Sequence, residues 1–206
     1  MTDRSVIKLN KMPKRPQQLG DIRKQKKQLI MDTALELFAE NGFHATSISQ
    51  IAKKADISKG LTYNYFKSKD DILSEIMEQG FNQMWDNLDI NHDGVLTEEE
   101  FIFFIHENFR LVRENVHYWR LFFSLLLQPR VSETYASSYK QQGEHIFKMF
   151  YGFIANSGSK DTESAMMAVS SMMEGAFLSL VTVPGAFPTD KLEDAVVKNC
   201  MKIIKP

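Results

Sequence analysis

Within residues 46–73, TSISQIAKKADISKGLTYNYFKSKDDIL, a hydroxyl residue suited to begin a helix recurs at Thr46 or Ser47, at Ser58 and at Ser68, with helix-compatible sequence after each. That punctuation leaves room only for short helices joined by tight turns. The first carries the apolar stripe Ile48, Ile51, Ala52 and Ala55. Asp56-Ile57 then turns the chain into a second helix from Lys59 to about Phe66, and Ser68 opens a longer one from Lys69 to about Leu88. Ahead of them the spacing predicts a helix from Ile22. Its Ile30, Ala34, Leu37 and Phe38 fall on one face, and Asn41-Gly42 stops it.

The remainder is helical in pattern too, expected over 97–115, 116–127, 131–155, 161–182 and 189–204. The breaks lie at Gln128-Pro129, Asn156-Ser157-Gly158 and Pro184-Gly185. No strand pattern and no repeat stands out, so the fold class is all-α. The expected division is a basic arm over 1–20, a head of short helices over 21–68, and a helical body over 69–206. The weakly charged stretch 165–187 carries Glu174, serines and a Pro-Gly pair, and reads as a buried helix rather than a membrane span.

The net charge of −1 conceals an asymmetry: residues 1–70 carry +7 and residues 71–206 carry −8. A basic front half suits a polyanion, although charge alone fits a solvated surface equally well. The single cysteine, Cys200, allows no intrachain disulfide and fits a reducing cytosol. MTDRSVIKLNKMPKRP has no apolar core of a signal peptide, so the expected location is the cytoplasm.

Two short helices about three residues apart, the second entered through a serine cap, form a helix-turn-helix. The first braces across the DNA backbone, where Thr46 and Ser47 at its start meet a phosphate. The second, KGLTYNYF, is more polar and aromatic than packing alone requires. Phe66 and Tyr65 turn inward on it, and Lys59, Leu61, Tyr63 and Asn64 turn outward. From about residue 22 to 75 the chain resembles the TetR family of transcriptional regulators. The resemblance implies phosphate contacts from Tyr63 and Lys69, and places Lys59, Gly60, Leu61 and Asn64 nearest the bases. Gly60 lets the backbone approach closely; Asn64 suits an adenine edge and Leu61 a thymine methyl. Two residues depart from the family pattern. Asp56 stands where glycine is usual in the turn, and Thr62 where a larger apolar residue usually packs.

TetR-like bodies dimerise through their last two helices, which implies a homodimer on a near-palindromic operator. Ser164, Ala168, Ser171, Gly175 and Ser179 form a small-residue stripe that suits such an interface, with Met166, Val169, Met173, Phe177 and Leu180 opposite. Ordinary packing inside one chain explains the same stripe. The aromatic segment 117–127, with Phe147, Phe150 and the Met-rich penultimate helix, supplies candidates for an apolar effector pocket: Trp119, Phe122, Phe123, Phe147, Phe150, Met173 and Phe177. The same residues serve equally as plain core. His117 and His145 have no ligand partner at i+4, and Cys200 has no paired base. No enzymatic activity, required cofactor or membrane partner is expected.

Residues 89–100, DINHDGVLTEEE, match the EF-hand calcium loop. Oxygen ligands would come from Asp89, Asn91, Asp93, the Val95 carbonyl, Thr97 and Glu100, with Gly94 at the sharp turn and Leu96 pointing inward. A Thr97–Glu100 capping box after an Asp-Gly turn accounts for part of the pattern without metal. The reading that follows is a transcriptional regulator, a repressor released by a small apolar effector. The alternatives are a calcium-responsive regulator sensing through 89–100, and an interaction protein that keeps the fold without binding DNA.

Overall fold

The structure, a computed structural model, describes residues 16–206, apart from the side chains of 16–18 and 134–142. Residues 1–15 of the expected arm lie outside the described residues. The described chain holds nine α-helices: α1 (Pro16–Asn41), α2 (Ile48–Lys54), α3 (Lys59–Tyr63), α4 (Lys69–Trp85), α5 (Glu98–Glu114), α6 (Val116–Leu126), α7 (Pro129–Asn156), α8 (Thr162–Thr182) and α9 (Thr189–Ile204). No strand occurs among the described residues.

Most boundaries follow from local chemistry. Ser47, Ser58, Ser68 and Thr97 each accept a hydrogen bond from a backbone N–H in the first turn of α2, α3, α4 and α5. Helix α1 begins at Pro16, six residues before the expected Ile22, because proline is suited to a first helical turn, where a missing N–H costs nothing. Helix α3 stops at Tyr63 rather than Phe66. The chain tightens there: the Asn64 and Tyr65 N–H groups bond the Leu61 and Thr62 carbonyls, three residues back. Asp56 adopts φ 51°, the left-handed conformation its place in the turn demands.

The small head helices α2 and α3 pack on each other and α2 on α1, while α1 also packs on α4 and α6. Helix α8 lies at the centre of the body, against α5, α6, α7 and α9. One continuous apolar cluster runs through all of it, from Ile30, Phe38 and Phe66 to Ile72, Phe122, Phe177, Val196 and Ile204. Helix α8 is long and apolar enough to cross a membrane, yet its Val169, Met173, Phe177 and Val181 are buried in this shared core.

Helices α4 and α6 come close at one point. Phe122 is fully buried, and its ring lies over the backbone of Gly80. A Cβ built on Gly80 would stand 2.2 Å from that ring, well inside contact distance. Gly80→Ala should therefore cost about 1–3 kcal/mol through overpacking, and lower Tm by roughly 2–4 °C per kcal/mol in a chain of this size. An unchanged Tm by calorimetry would show that Phe122 moves aside freely.

Candidate nucleic-acid interface

Helix α3 is seated by its inward side chains. Thr62 is completely buried, and its hydroxyl donates to the Ser58 carbonyl at 3.3 Å. The small residue thus seats the helix by a backbone bond where a bulkier one would seat it by packing. Phe66 is buried, Tyr65 and Leu61 are half-buried, and Arg23 of α1 lies 5.6 Å from the Tyr65 ring centre. Outward stand Lys59, Gly60, Tyr63 and Asn64, all exposed, with the Lys59 ammonium 6.0 Å from the centre of the Tyr63 ring. These side chains form a cationic, aromatic and amide edge on one short helix.

The cations around it are unevenly committed. Lys27 pairs with Glu75 at 2.7 Å, and Lys54 with Glu36 at 3.0 Å and Glu40 at 3.6 Å. The Glu36 carboxylate, by hydrogen bond, holds the Lys54 ammonium pKa above its ordinary value. Lys24, Lys53, Lys59 and Lys67 are exposed and have no ion pair among the described residues. They are the charges free to meet a polyanion.

Two expected phosphate contacts sit differently. Thr46 is 2% exposed, and its hydroxyl lies 3.1 Å from the Leu37 carbonyl and 3.0 Å from that of Gly42. It closes the end of α1 and has no surface to offer, which corrects its assignment to DNA. Ser47, beside it, is exposed and forms a reciprocal capping box with Gln50. Lys69 is half-buried, and its ammonium donates to the Phe43, His44 and Thr46 carbonyls at 2.8, 3.0 and 3.0 Å. All three of its hydrogens are engaged inside the protein, and it lies 4.6 Å from the Phe43 ring centre.

The family described as "Bacterial regulatory proteins, tetR family" matches residues 30–76, which span the C-terminal part of α1, all of α2 and α3, and the start of α4. Over these residues the chain is similar to the TetR family. It is 33% identical over 84 residues to the fatty acid metabolism regulator protein of Bacillus subtilis, covering 40% of this chain and 43% of that one. A negative regulator of a biofilm operon from Staphylococcus epidermidis is 36% identical over 67 residues, 32% of this chain and 36% of that one. The matched segments span less than half the length of these relatives. In fold, a TetR-like regulator from Rhodococcus sp. RHA1 superposes with TM-score 0.69 at 21% identity, over 86% of this chain and 94% of that one.

In the body, most of the side chains expected around an effector are inside. Trp119, Phe122, Phe150, Met173 and Phe177 are buried and Phe123 is half-buried. Trp119 and Phe122 meet edge-on at 5.4 Å, and Phe150 meets Phe101 at 5.7 Å. Phe147 is half exposed and stacks on Tyr151 at 6.0 Å on the outer face of α7, so it does not join the others. Cys200 is fully buried, and burial pushes its thiol pKa up to about 11, leaving it protonated at neutral pH.

In the 89–100 loop, Asp89 accepts from the Asp93 and Gly94 N–H groups, Asn91 from Asp93, and Asp93 from Val95. Gly94 (φ 78°) and His92 (φ 58°) are left-handed, and Leu96 is buried. Glu100, also buried, accepts from the Thr97 N–H and hydroxyl at 3.0 and 2.9 Å. Among the described residues no three His, Cys, Asp or Glu groups converge as a metal site would need.

Sequence reasoning missed Gln128. It follows α6, and its side-chain amide bonds the Phe43 N–H at 3.0 Å and the Phe38 carbonyl at 2.8 Å. No local pattern announces a bond across 85 to 90 residues. Lys69, by contrast, has a testable internal role. Lys69→Met should cost about 2 kcal/mol through lost charged hydrogen bonds and lower Tm by roughly 4–8 °C. A Tm equal to that of the parent chain would mean that the three carbonyls are satisfied by water.

Proposed function

We propose that this chain is a sequence-specific, DNA-binding transcriptional regulator that acts in the cytoplasm as a homodimer, and that it is a repressor released by a small apolar effector. The observation that carries the reading is the outward edge of α3, where Lys59, Tyr63 and Asn64 stand exposed on a helix fixed by the buried Thr62 and Phe66. A recognition helix needs that division, because base contacts demand a rigid mount and free polar tips. Exposed Lys24, Lys53 and Lys67 add phosphate attraction.

Dimerisation suits α8. Ser164, Ala168, Ser171 and Gly175 are exposed on it together with Met167 and Leu178, while Val169, Met173 and Phe177 face the core. A second α8 would find small residues allowing close approach and two apolar side chains to cover. An apolar effector suits the aromatic interior of α6 and α8. The relative from Bacillus subtilis is named for fatty acid metabolism, which agrees with an effector of that polarity.

Tyr63→Ala should weaken binding to operator and random duplexes alike, whereas Asn64→Ala should lower operator binding by about 1–3 kcal/mol and spare random DNA. Titrations of duplex at several salt concentrations read both; equal losses on both duplexes for Asn64→Ala contradict its role at a base.

A second reading attaches to residues 89–100, carried by their agreement with the calcium-loop pattern at every defining position. Asp89, Asn91 and Asp93 already turn their oxygens toward one set of backbone N–H groups. Calcium would have to draw Glu100 away from Thr97, so capping and metal compete for one carboxylate. Trp85, stacked on Phe104 at 5.5 Å just before the loop, is a natural reporter. On this reading calcium, and not magnesium, changes its fluorescence saturably, and Asp89→Ala abolishes the change. A flat response up to millimolar calcium leaves the loop as a capped turn.

A further inference from the structure

We propose that Gln128, in the body, is a positioning residue for the DNA-contacting helices: its amide caps the C-terminal end of α1 and sets where α2 and α3 stand. The last carbonyls of a helix lack partners within it and must find them elsewhere. At the end of α1 the Phe38 carbonyl accepts the Gly42 N–H at 3.1 Å, and its second acceptor site takes the Gln128 amide at 2.8 Å. The other end of the same amide accepts the Phe43 N–H at 3.0 Å. Phe43 is buried, so that N–H depends on Gln128 for its partner. Both polar ends of one side chain are therefore committed to the turn between α1 and α2.

Its own helix shows what this commitment displaces. Gln128 stands at the cap position of α7, yet α7 has no side-chain cap bond. The amide serves α1 instead. The clamp has a second jaw on the opposite side of the turn: Lys69 of α4 takes the Phe43, His44 and Thr46 carbonyls. Phe43 thus gives its N–H to Gln128 and its carbonyl to Lys69, and α2 begins five residues later.

Gln128 comes two residues after the end of α6, the helix whose Trp119 and Phe122 lie in the body's interior. A shift of α6 along its axis carries Gln128 with it and pulls directly on the turn that leads into α2. This lock ties the residue after α6 to the turn that leads into α2. This inference rests on the DNA-binding reading and adds to it the residue that links body to head.

The test compares the full chain with Gln128→Ala, Gln128→Glu and, as a neighbouring control, Leu127→Ala, whose side chain is largely exposed. Two readouts are taken: hydrogen exchange over residues 43–66 against residues 162–204, and affinity for a duplex enriched from a random pool by the parent chain. Gln128→Ala should speed exchange over 43–66 alone and lower affinity for the enriched duplex about tenfold, within the usual range of coupling between sites. Affinity for random DNA and the salt slope should hold, because no phosphate contact is lost. Gln128→Glu keeps the acceptor for Phe43 and should recover part of both effects, and Leu127→Ala should match the parent. A parent chain that enriches no duplex overturns the DNA reading. A binding parent matched by Gln128→Ala in both readouts overturns the lock and leaves that reading standing.

Discussion

The buried stripe of α1 is the surface on which the rest of the molecule is assembled. Ile30, Ala34 and Phe38 have no exposure, and α1 packs on α2 along one part of its length and on α4 and α6 along another. By sequence α1 belongs to the head; by packing it belongs equally to the body. A head that shares its core with the body cannot turn alone. Any reorientation must either carry α1 with it or break contacts at its end, where the apolar stripe gives way to polar bonds.

Those polar bonds are concentrated in the few residues between α1 and α2. Thr46, Gln128 and Lys69 come from three distant places in the sequence and converge on the carbonyls and N–H groups left over as α1 stops. Each satisfies a backbone group beside the buried Phe43. Hydrogen bonds of this kind hold direction more than they add stability, since each is worth only about 1 kcal/mol net. The apolar core supplies most of the stability, and the polar clamp fixes the angle at which α2 and α3 leave it.

This division explains what the sequence disclosed. Apolar periodicity and caps are local, so Ser47, Ser58, Ser68 and Thr97 could be read directly as helix starts, and the left-handed Asp56 followed from its place in a tight turn. The outward set on α3 was legible for the same reason: once Phe66 is inside, a short helix has one other side. Thr46 misled because two adjacent hydroxyls both suit a cap, and only the fold shows that Ser47 takes that place while Thr46 turns inward to α1. The internal bonds of Lys69 and Gln128 could not be read locally, since their partners are 23 to 90 residues away. Aromatic spacing marked the body's interior correctly. Phe147 shows that a ring at the right spacing can still face solvent.

The 89–100 loop shows the same limit from the other side. Its pattern is local and complete, yet Glu100 has two chemically reasonable uses, as the partner of Thr97 at the start of α5 and as a ligand closing a calcium site. The structure holds it in the first. Metal binding in such a loop is therefore opposed by the energy of a capping box, and the helix that would feel the exchange is α5. Asn108 of α5 donates to the Met84 carbonyl near the end of α4 and to the Phe104 carbonyl in its own helix. A change at Glu100 would thus reach α4, whose opposite end carries Lys69 and the second jaw of the clamp on the head. Loop and Lys69 lie at the two ends of one helix, which makes α4 the element on which both would act.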